Sequence, residues 1–345
     1  MTFAIWWGCR ASEPAGQAKD QDNMKKRVAI IGGGGYTAGE LLRILVHHPN
    51  VEVTYVQSES QAGKKVYEVH TDLVGETDLV FSGADAGAME GLDAVFLCMG
   101  HGRSRGWVES TELDERTVVV DLSTDYRMSD DWVYGLPEIN RAATRGARRV
   151  ANPGCFATAI QLGLLPLVGA GLADGEVHIN GMTGSTGAGQ QPLPTTHFSW
   201  RNANVSIYKA FRHQHLNEIG RNVRVLGRAD AAGLNFLPLR GPFARGIFVS
   251  TYLNTDATEA ELRQLFADFY ADAVFTHPTE VNPNLKQVVN TNKGLVYVEK
   301  HEDKALVVSM IDNLLKGASG QAVQNMNLAL GLAEDAGLRL KASYF

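Results

Sequence analysis

Arg27-Val28-Ala29-Ile30-Ile31-Gly32-Gly33-Gly34-Gly35-Tyr36-Thr37-Ala38-Gly39-Glu40-Leu41-Leu42-Arg43-Ile44-Leu45 is the stretch that decides the fold. A short apolar run passes into consecutive glycines and then into apolar residues at helical spacing, so the order is strand, tight turn, helix. The first N–H groups of a helix have no partner within it and favour an anion. Glycines before it let a pyrophosphate approach the backbone. Val51-Glu52-Val53-Thr54-Tyr55-Val56 follows as a second strand at the spacing of a βαβ unit, the context that a glycine-rich run alone lacks. Further strands are expected at Asp93–Cys98 and Thr117–Leu122.

The tip of the second strand reads Gln57-Ser58-Glu59-Ser60, with Lys64 nearby. Hydroxyls and a lysine suit a ribose 2′-phosphate, whereas a carboxylate at the tip would suit a 2′-hydroxyl. The expectation is NADP(H), with Ser58 and Ser60 as contacts; the alternative makes Glu59 the ribose acid and Ser58 a turn residue.

Outward from this unit, 345 residues with 44% hydrophobic and 20% charged side chains suit two cores. Residues 24–154 are expected to form a Rossmann-type domain, completed by a C-terminal helix over 313–345. Residues 155–312 are expected to form an α+β catalytic and oligomerisation domain with a mixed sheet. Strand-like runs there are Gly175–Met182, 234–239, 246–253, Lys286–Val289, Leu295–Glu299 and Ala305–Ile311, with helices at Glu259–Phe269 and Asn313–Glu334. Residues 1–23 show no periodicity and read as a leader outside the fold or an upstream start. A net charge of −6 with scattered cations gives no footprint for nucleic acid or an anionic membrane. Three cysteines cannot make a disulfide framework, and no Cys/His spacing suggests a metal. A reducing cytoplasm and no membrane span are expected.

Asn152-Pro153-Gly154-Cys155, followed by Phe156-Ala157-Thr158-Ala159-Ile160-Gln161-Leu162, puts a cysteine at the mouth of a helix. A thiolate would be stabilised there, which makes Cys155 a candidate nucleophile; the plain alternative is a small buried hydrophobe. His213 and His215, two residues apart, cannot share one helical face but can flank a pocket where their segment enters a helix. A cysteine, a histidine base and a nicotinamide compose the reduction of an activated acyl group through a thioester.

Five ordered motifs carry a resemblance from Arg27 to the C-terminus: the glycine turn from Gly32 to Leu41, Asp121-Leu122-Ser123-Thr124-Asp125-Tyr126-Arg127, Tyr134-Gly135-Leu136-Pro137-Glu138, Asn152-Pro153-Gly154-Cys155, and the run Asp312-Asn313-Leu314-Leu315-Lys316-Gly317-Ala318-Ser319-Gly320-Gln321-Ala322. Together they resemble the N-acetyl-γ-glutamyl-phosphate reductases of arginine biosynthesis, relatives of the aspartate-semialdehyde dehydrogenases. The resemblance implies an oxidoreductase with Cys155 as nucleophile and His215 as first choice for the proton carrier. His213 would assist, and Glu218 would hold an imidazole or act as a first-turn acid. Gly32, Gly35, Tyr36 and Thr37 would meet the cofactor phosphates, and Asn313 would lie by the nicotinamide, with Ser185 and Gly187 on the second glycine loop. Arg127 would hold the substrate phosphate, with Asn152 and His213 beside it. The family reads His-Arg-His-Thr-Pro-Glu-Ile where this chain has His213-Gln214-His215-Leu216-Asn217-Glu218-Ile219. A homodimer or homotetramer acting on a small acyl phosphate is implied.

Three rival readings share parts of this pattern. One is the same chemistry on a carrier-linked aminoadipyl or other acyl phosphate, and another is a catalytically silent NADP-sensing module. In the third, Arg201 pairs with the distal carboxylate of an N-succinyl substrate; otherwise Arg201 is a surface or interface residue and the acyl group is acetyl.

Overall fold

A computed structural model describes residues 24–173, 175–227 and 233–344. The leader or upstream start expected over residues 1–23 lies outside the described residues. The first part of the chain runs β1 (Lys26–Ile31), α1 (Tyr36–Leu45), β2 (Val51–Gln57), α2 (Val66–Val69), β3 (Ala94–Leu97), α3 (Ser104–Ser110), β4 (Val118–Asp121), β5 (Val133–Tyr134), α4 (Pro137–Thr144) and β6 (Arg149–Ala151). Its strands pair in parallel in the order β2-β1-β3-β4-β6-β5. Both faces of this sheet are covered, which is why β1, β3 and β4 read as unbroken apolar runs rather than alternating ones.

The second part runs α5 (Cys155–Gly169), β7 (Glu176–Thr183), α6 (Phe198–Arg201), β8 (Ser206–Ile207), α7 (His215–Gly227), β9 (Gly233–Arg240), β10 (Ile247–Asn254), α8 (Glu259–Phe269), β11 (Thr276–Pro278), β12 (Gly294–His301), β13 (Lys304–Ile311) and α9 (Ser319–Ala329). Its sheet has the order β11-β12-β13-β10-β7-β9-β8 and is mixed: β7 and β9 are parallel, and β10 is antiparallel to both β7 and β13. Every residue of α5 from Phe156 to Val168 is buried. A helix apolar all round must sit inside a core, and α5 lies between this sheet, α7 and α8.

Two sequence expectations fail here. Lys286–Val289 is not a strand but a 3₁₀ turn, Leu285–Gln287, because the Gln287 side chain accepts from the Asn284 N–H at 2.7 Å and closes the turn locally. Asn313–Glu334 is not one helix, and no helix runs over 313–345. The Asp312 carboxylate accepts from the N–H groups of Leu314 and Leu315 at 2.8 and 3.1 Å, so a turn precedes α9, and turns follow it. α9 nonetheless packs on α1, α4 and β4, returning the chain to the first sheet.

The two parts are tied by buried charge. Arg245 donates to Asp312 at 3.0 Å and to Glu40 of α1 at 2.6 Å. Lys316, fully buried, lies 2.8 Å from Glu138 and 3.0 Å from the Gln324 amide oxygen, and Thr276 of β11 donates to the same Glu138 oxygen at 2.6 Å. Burial opposes ionisation of Glu138, but Lys316 overcomes it and holds the carboxyl below its usual range. Lys316→Met should therefore destabilise the protein by about 3–5 kcal/mol in denaturant melts, because it strands a buried carboxylate. Adding Glu138→Gln should recover most of the loss; a double variant no better than the single one would contradict this account.

Candidate active site

The glycine turn is built for close approach. Gly32 has φ +87°, and a Cβ there would strike the Cys98 and Met99 backbone of β3's exit; one on Gly33 would strike Val56 and Phe81. Gly35 is the N-cap of α1, with no side-chain cap and open space where its Cβ would be. The first-turn N–H groups of α1 thus face space, and Gly35, Tyr36 and Thr37 line a cavity of about 690 Å³. Gly32 shapes the turn from behind and does not line it.

Cys155 opens α5 in the wall of the same cavity, with Gly154 as its N-cap. A Cβ on Gly154 would overlap His215 Nε2 and Arg127 Nη1, so glycine is required before the cysteine for those two side chains to reach the helix start. Beneath it lies a buried network. Glu218 accepts from Arg127 Nη1 at 3.1 Å, from the Tyr134 hydroxyl at 2.7 Å and from the Gly154 N–H at 3.1 Å. Gln161 donates to the Tyr134 oxygen at 2.8 Å, and Asn222 donates to Gln161 at 2.6 Å. The expectation that Glu218 holds an imidazole is corrected: its nearer oxygen is 4.0 Å from His215 Nε2, beyond hydrogen-bond range, and its bonds go elsewhere.

The electrostatics also revise the reading of the thiol. Burial pushes Cys155 up to about 11; Arg127 and the N–H groups of Phe156 and Cys155 pull the other way without overcoming it. The resting group is a neutral thiol, not the thiolate expected from a helix N-terminus alone. Burial lowers His213 to about 4, with Lys209 and Arg240 adding to the effect. His215 falls well below its ordinary value through burial, then Arg127 and His213. Both imidazoles are neutral near pH 7 and able to accept a proton. His215 begins α7 and its Nδ1 is buried with no partner, while His213 packs edge-on to Phe156, Phe236 and His215.

The cavity brings together Arg127, Asn152, Cys155, Gly187, His213, His215 and Asn313 with the glycine turn. Some of these side chains are already committed. The Asn152 amide donates to Ala318 O and accepts from Asn325, each at 3.0 Å. Asn313 accepts from the Gly246 N–H at 2.7 Å and donates to Thr186 at 3.0 Å, holding the second glycine loop. Asn152 thus lines the cavity with its amide braced from both sides. Ser185 does not line the cavity; its neighbour Thr186 does. Ser58 is buried, and neither it nor Ser60 reaches this cavity.

Arg201 is not a substrate contact. It is buried, with Nε donating to Thr195 O, Nη1 to Asn204 O and Arg240 O, and Nη2 to Ser206 Oγ, so its fork is used within the fold and it lies outside the cavity. Sequence reasoning missed His101, Tyr208, Lys209 and Arg240, all in the cavity wall, as is half-buried Cys98. Gly100-His101-Gly102 after a strand was a usable signal, since both glycines have positive φ. Tyr134 carried no chemical signal in its own segment.

A model of the semialdehyde dehydrogenase NAD binding domain matches residues 27–147, and one of the semialdehyde dehydrogenase dimerisation domain matches residues 155–313. The N-acetyl-gamma-glutamyl-phosphate reductase of Parabacteroides distasonis is 51% identical over 322 residues, covering 92% of this chain and 99% of the relative. That of Bacteroides fragilis is 50% identical over the same shares. Among solved structures, aspartate semialdehyde dehydrogenase II from Vibrio cholerae, complexed with ASA, superposes with a TM-score of 0.70 at 17% identity, over 89% of this chain and 99% of that one. Aspartate semialdehyde dehydrogenase with NADP from Candida albicans gives 0.64 at 14%, over the same shares. These structures share the fold: a parallel dinucleotide-binding sheet followed by a mixed one. With relatives this similar over nearly its whole described length, the chain belongs to the N-acetyl-gamma-glutamyl-phosphate reductase family of semialdehyde dehydrogenase-type oxidoreductases.

Proposed function

We propose that this chain reduces N-acetyl-L-glutamyl 5-phosphate to the 5-semialdehyde with NADPH, in arginine biosynthesis, through a thioester on Cys155. The observation that carries this reading is one cavity holding a helix-start thiol, two neutral imidazoles, Arg127 and the open start of α1.

The residues fit a dinucleotide. Gly35 leaves room where a side chain would stand, and the uncapped first turn of α1 offers N–H donors that Tyr36 and Thr37 carry into the cavity. When bound there, NADPH supplies hydride to the acyl carbon. The 2′-phosphate is proposed to meet Ser58, Ser60 and Lys64. In support, Ser58 Oγ lies 3.4 Å from where a Cβ on Gly34 of the glycine turn would stand, beside the turn that would take the pyrophosphate.

In the step on Cys155, the sulfur bonds to the γ-carbonyl carbon while His215 takes the thiol proton. Collapse breaks the carbon–oxygen bond to phosphate, whose charge faces Arg127. Hydride addition leaves an alkoxide on the acyl carbon; its collapse to the aldehyde breaks the C–S bond, and His215 returns the proton it took to the departing sulfur, regenerating the neutral Cys155 thiol. His213 packs against His215 and orients it. Because the free thiol and imidazole are both neutral, proton transfer accompanies attack rather than preceding it. Arg127 keeps one N–H on each terminal nitrogen after bonding Glu218 and Leu122 O, so it can offer two donors to phosphate.

The match of residues 155–313 to a dimerisation domain supports a homo-oligomer, a dimer or tetramer, which light scattering on a sizing column would measure. None of the described helices is long and apolar enough to cross a membrane. The cytoplasm is proposed from the reducing chemistry that a catalytic thiol needs.

Turnover is tested in the reverse direction with N-acetylglutamate semialdehyde, NADP⁺ and phosphate. Cys155→Ser should lower kcat at least about 1,000-fold while NADPH binding by fluorescence stays within a factor of two. Retained activity would overturn the nucleophile.

The raised thiol gives a second expectation. Burial raises Cys98 further than Cys155, so iodoacetamide should label Cys155 the faster of the two. Both groups lie above the working pH, so both rates should climb about tenfold per pH unit from pH 7 to 9. A plateau for Cys155 below pH 8 in peptide-mapping mass spectrometry would show a preformed thiolate and refute the neutral-pair account.

A further inference from the structure

Arg127 accounts for one anionic end of an acyl phosphate, but the cavity has a second cationic wall. Lys209 and Arg240 both line it, beside Tyr208, and both act electrostatically on His213. Among the described residues neither is paired with a carboxylate. Lys209 uses one of its protons on the Gln214 amide oxygen at 2.9 Å and keeps two. Arg240 lies over the Tyr208 ring at 4.7 Å, and its Nε is buried with no partner. Both cations thus line one cavity with no carboxylate partner among the described residues, and an anionic ligand in the cavity would supply one.

The holding parts are visible. Arg201 donates to the Arg240 carbonyl, and its other donors fasten the Thr195–Ser206 segment, so the buried arginine outside the cavity is the platform for the one inside it. Lys209 sits at φ +47° and Phe211 at +59°, left-handed conformations uncommon for these residues, in the turn that leads to His213. Such conformations persist only where surrounding structure imposes them.

We infer that Lys209 and Arg240 form the subsite for the substrate's α-carboxylate, the anionic group that stays on both acyl phosphate and semialdehyde. This rests on the proposed function. The division of labour follows from position. Arg127 is the leading cation acting on the Cys155 thiol and abuts Gly154, so it faces the group that departs from the attacked carbon. Arg240 is one ring removed from the thiol: Tyr208 is pushed to about 12 by burial and then by Cys155, with Arg240 opposing. An anion four bonds from the reacting carbon belongs at that second wall. Paired there with a carboxylate, the Arg240 guanidinium gains a counter-ion and Lys209's free protons gain acceptors.

The test is steady-state kinetics in the phosphorylating direction with Arg240→Gln and Lys209→Asn, the latter chosen because Lys209 is exposed and asparagine tolerates left-handed φ. Thermal melts check folding, and Lys209→Asn decides alone if Arg240→Gln does not fold. Each variant should raise KM for N-acetylglutamate semialdehyde at least tenfold and leave KM for phosphate within twofold. With 4-acetamidobutanal, which lacks the carboxylate, variants and wild type should have kcat/KM within about threefold. Unchanged KM for the semialdehyde, or a rise in KM for phosphate instead, overturns the subsite while leaving the reaction standing. Absence of wild-type turnover on the semialdehyde overturns the proposed reaction and this inference with it.

Discussion

The site depends on one buried carboxylate. Glu218 is nearly inaccessible to solvent, and an unpaired charge there would be prohibitively costly, so its geometry is dictated by who can satisfy it. The three donors come from three places: Arg127 from the loop after β4, the Tyr134 hydroxyl from β5, and the Gly154 N–H at the mouth of α5, while Glu218 itself rides on α7. Parts of both sheets' domains converge on it. Arg127 is also fixed by Asn152 O and Leu122 O, so its charge is aimed at the start of α5 and cannot swing away. A carboxylate that looks, in sequence, like a partner for the imidazole beside it is instead the anchor of the cation.

That arrangement sets the chemistry in a particular way. If Glu218 had bonded His215, the imidazole would be a stronger base and carry a proton at rest more of the time. With the carboxylate spent on Arg127, burial and nearby positive charge keep both histidines neutral. The same burial keeps Cys155 protonated. A thiol kept neutral in the resting cavity is shielded from adventitious electrophiles, and it is from this state that the proposed reaction starts.

How much of this was legible follows the range of the interactions. The glycine turn, the order of β1, α1 and β2, and the cysteine at a helix start are local, written in propensity and spacing, and they could be read directly. The helix starting at His215 was legible as well, since two histidines that flank a pocket need a change of backbone between them. The turn after Asp312 was not: its side chain takes the N–H groups that would have begun a helix, and no periodicity announces that. Tyr134, Gln161 and Asn222 matter only because β5, α5 and α7 meet, which is tertiary information. Arg201 failed for the opposite reason. Its flanking polar residues suggested a ligand site, but a guanidinium with four carbonyl and hydroxyl partners inside its own segment and β9 has little left to offer.

The cavity's two cationic walls follow from how the domains are joined. Arg127 belongs to the dinucleotide-binding side and Arg240 to the last residue of β9, on the far sheet, so the distance between them is set by the interdomain ties. Those ties are rigid ones: Arg245 grips both Asp312 and Glu40, and Lys316 with Glu138 is sealed from water. Gly317, next in sequence to Lys316, lies so close to Cys155 that a Cβ there would fall 2.8 Å from the cysteine's own. The residue that seals the domains is therefore one step from the residue that backs the nucleophile. A shift of the interface would move the thiol relative to both walls at once, so the proposed reading of a substrate by its two anionic ends depends on that interface.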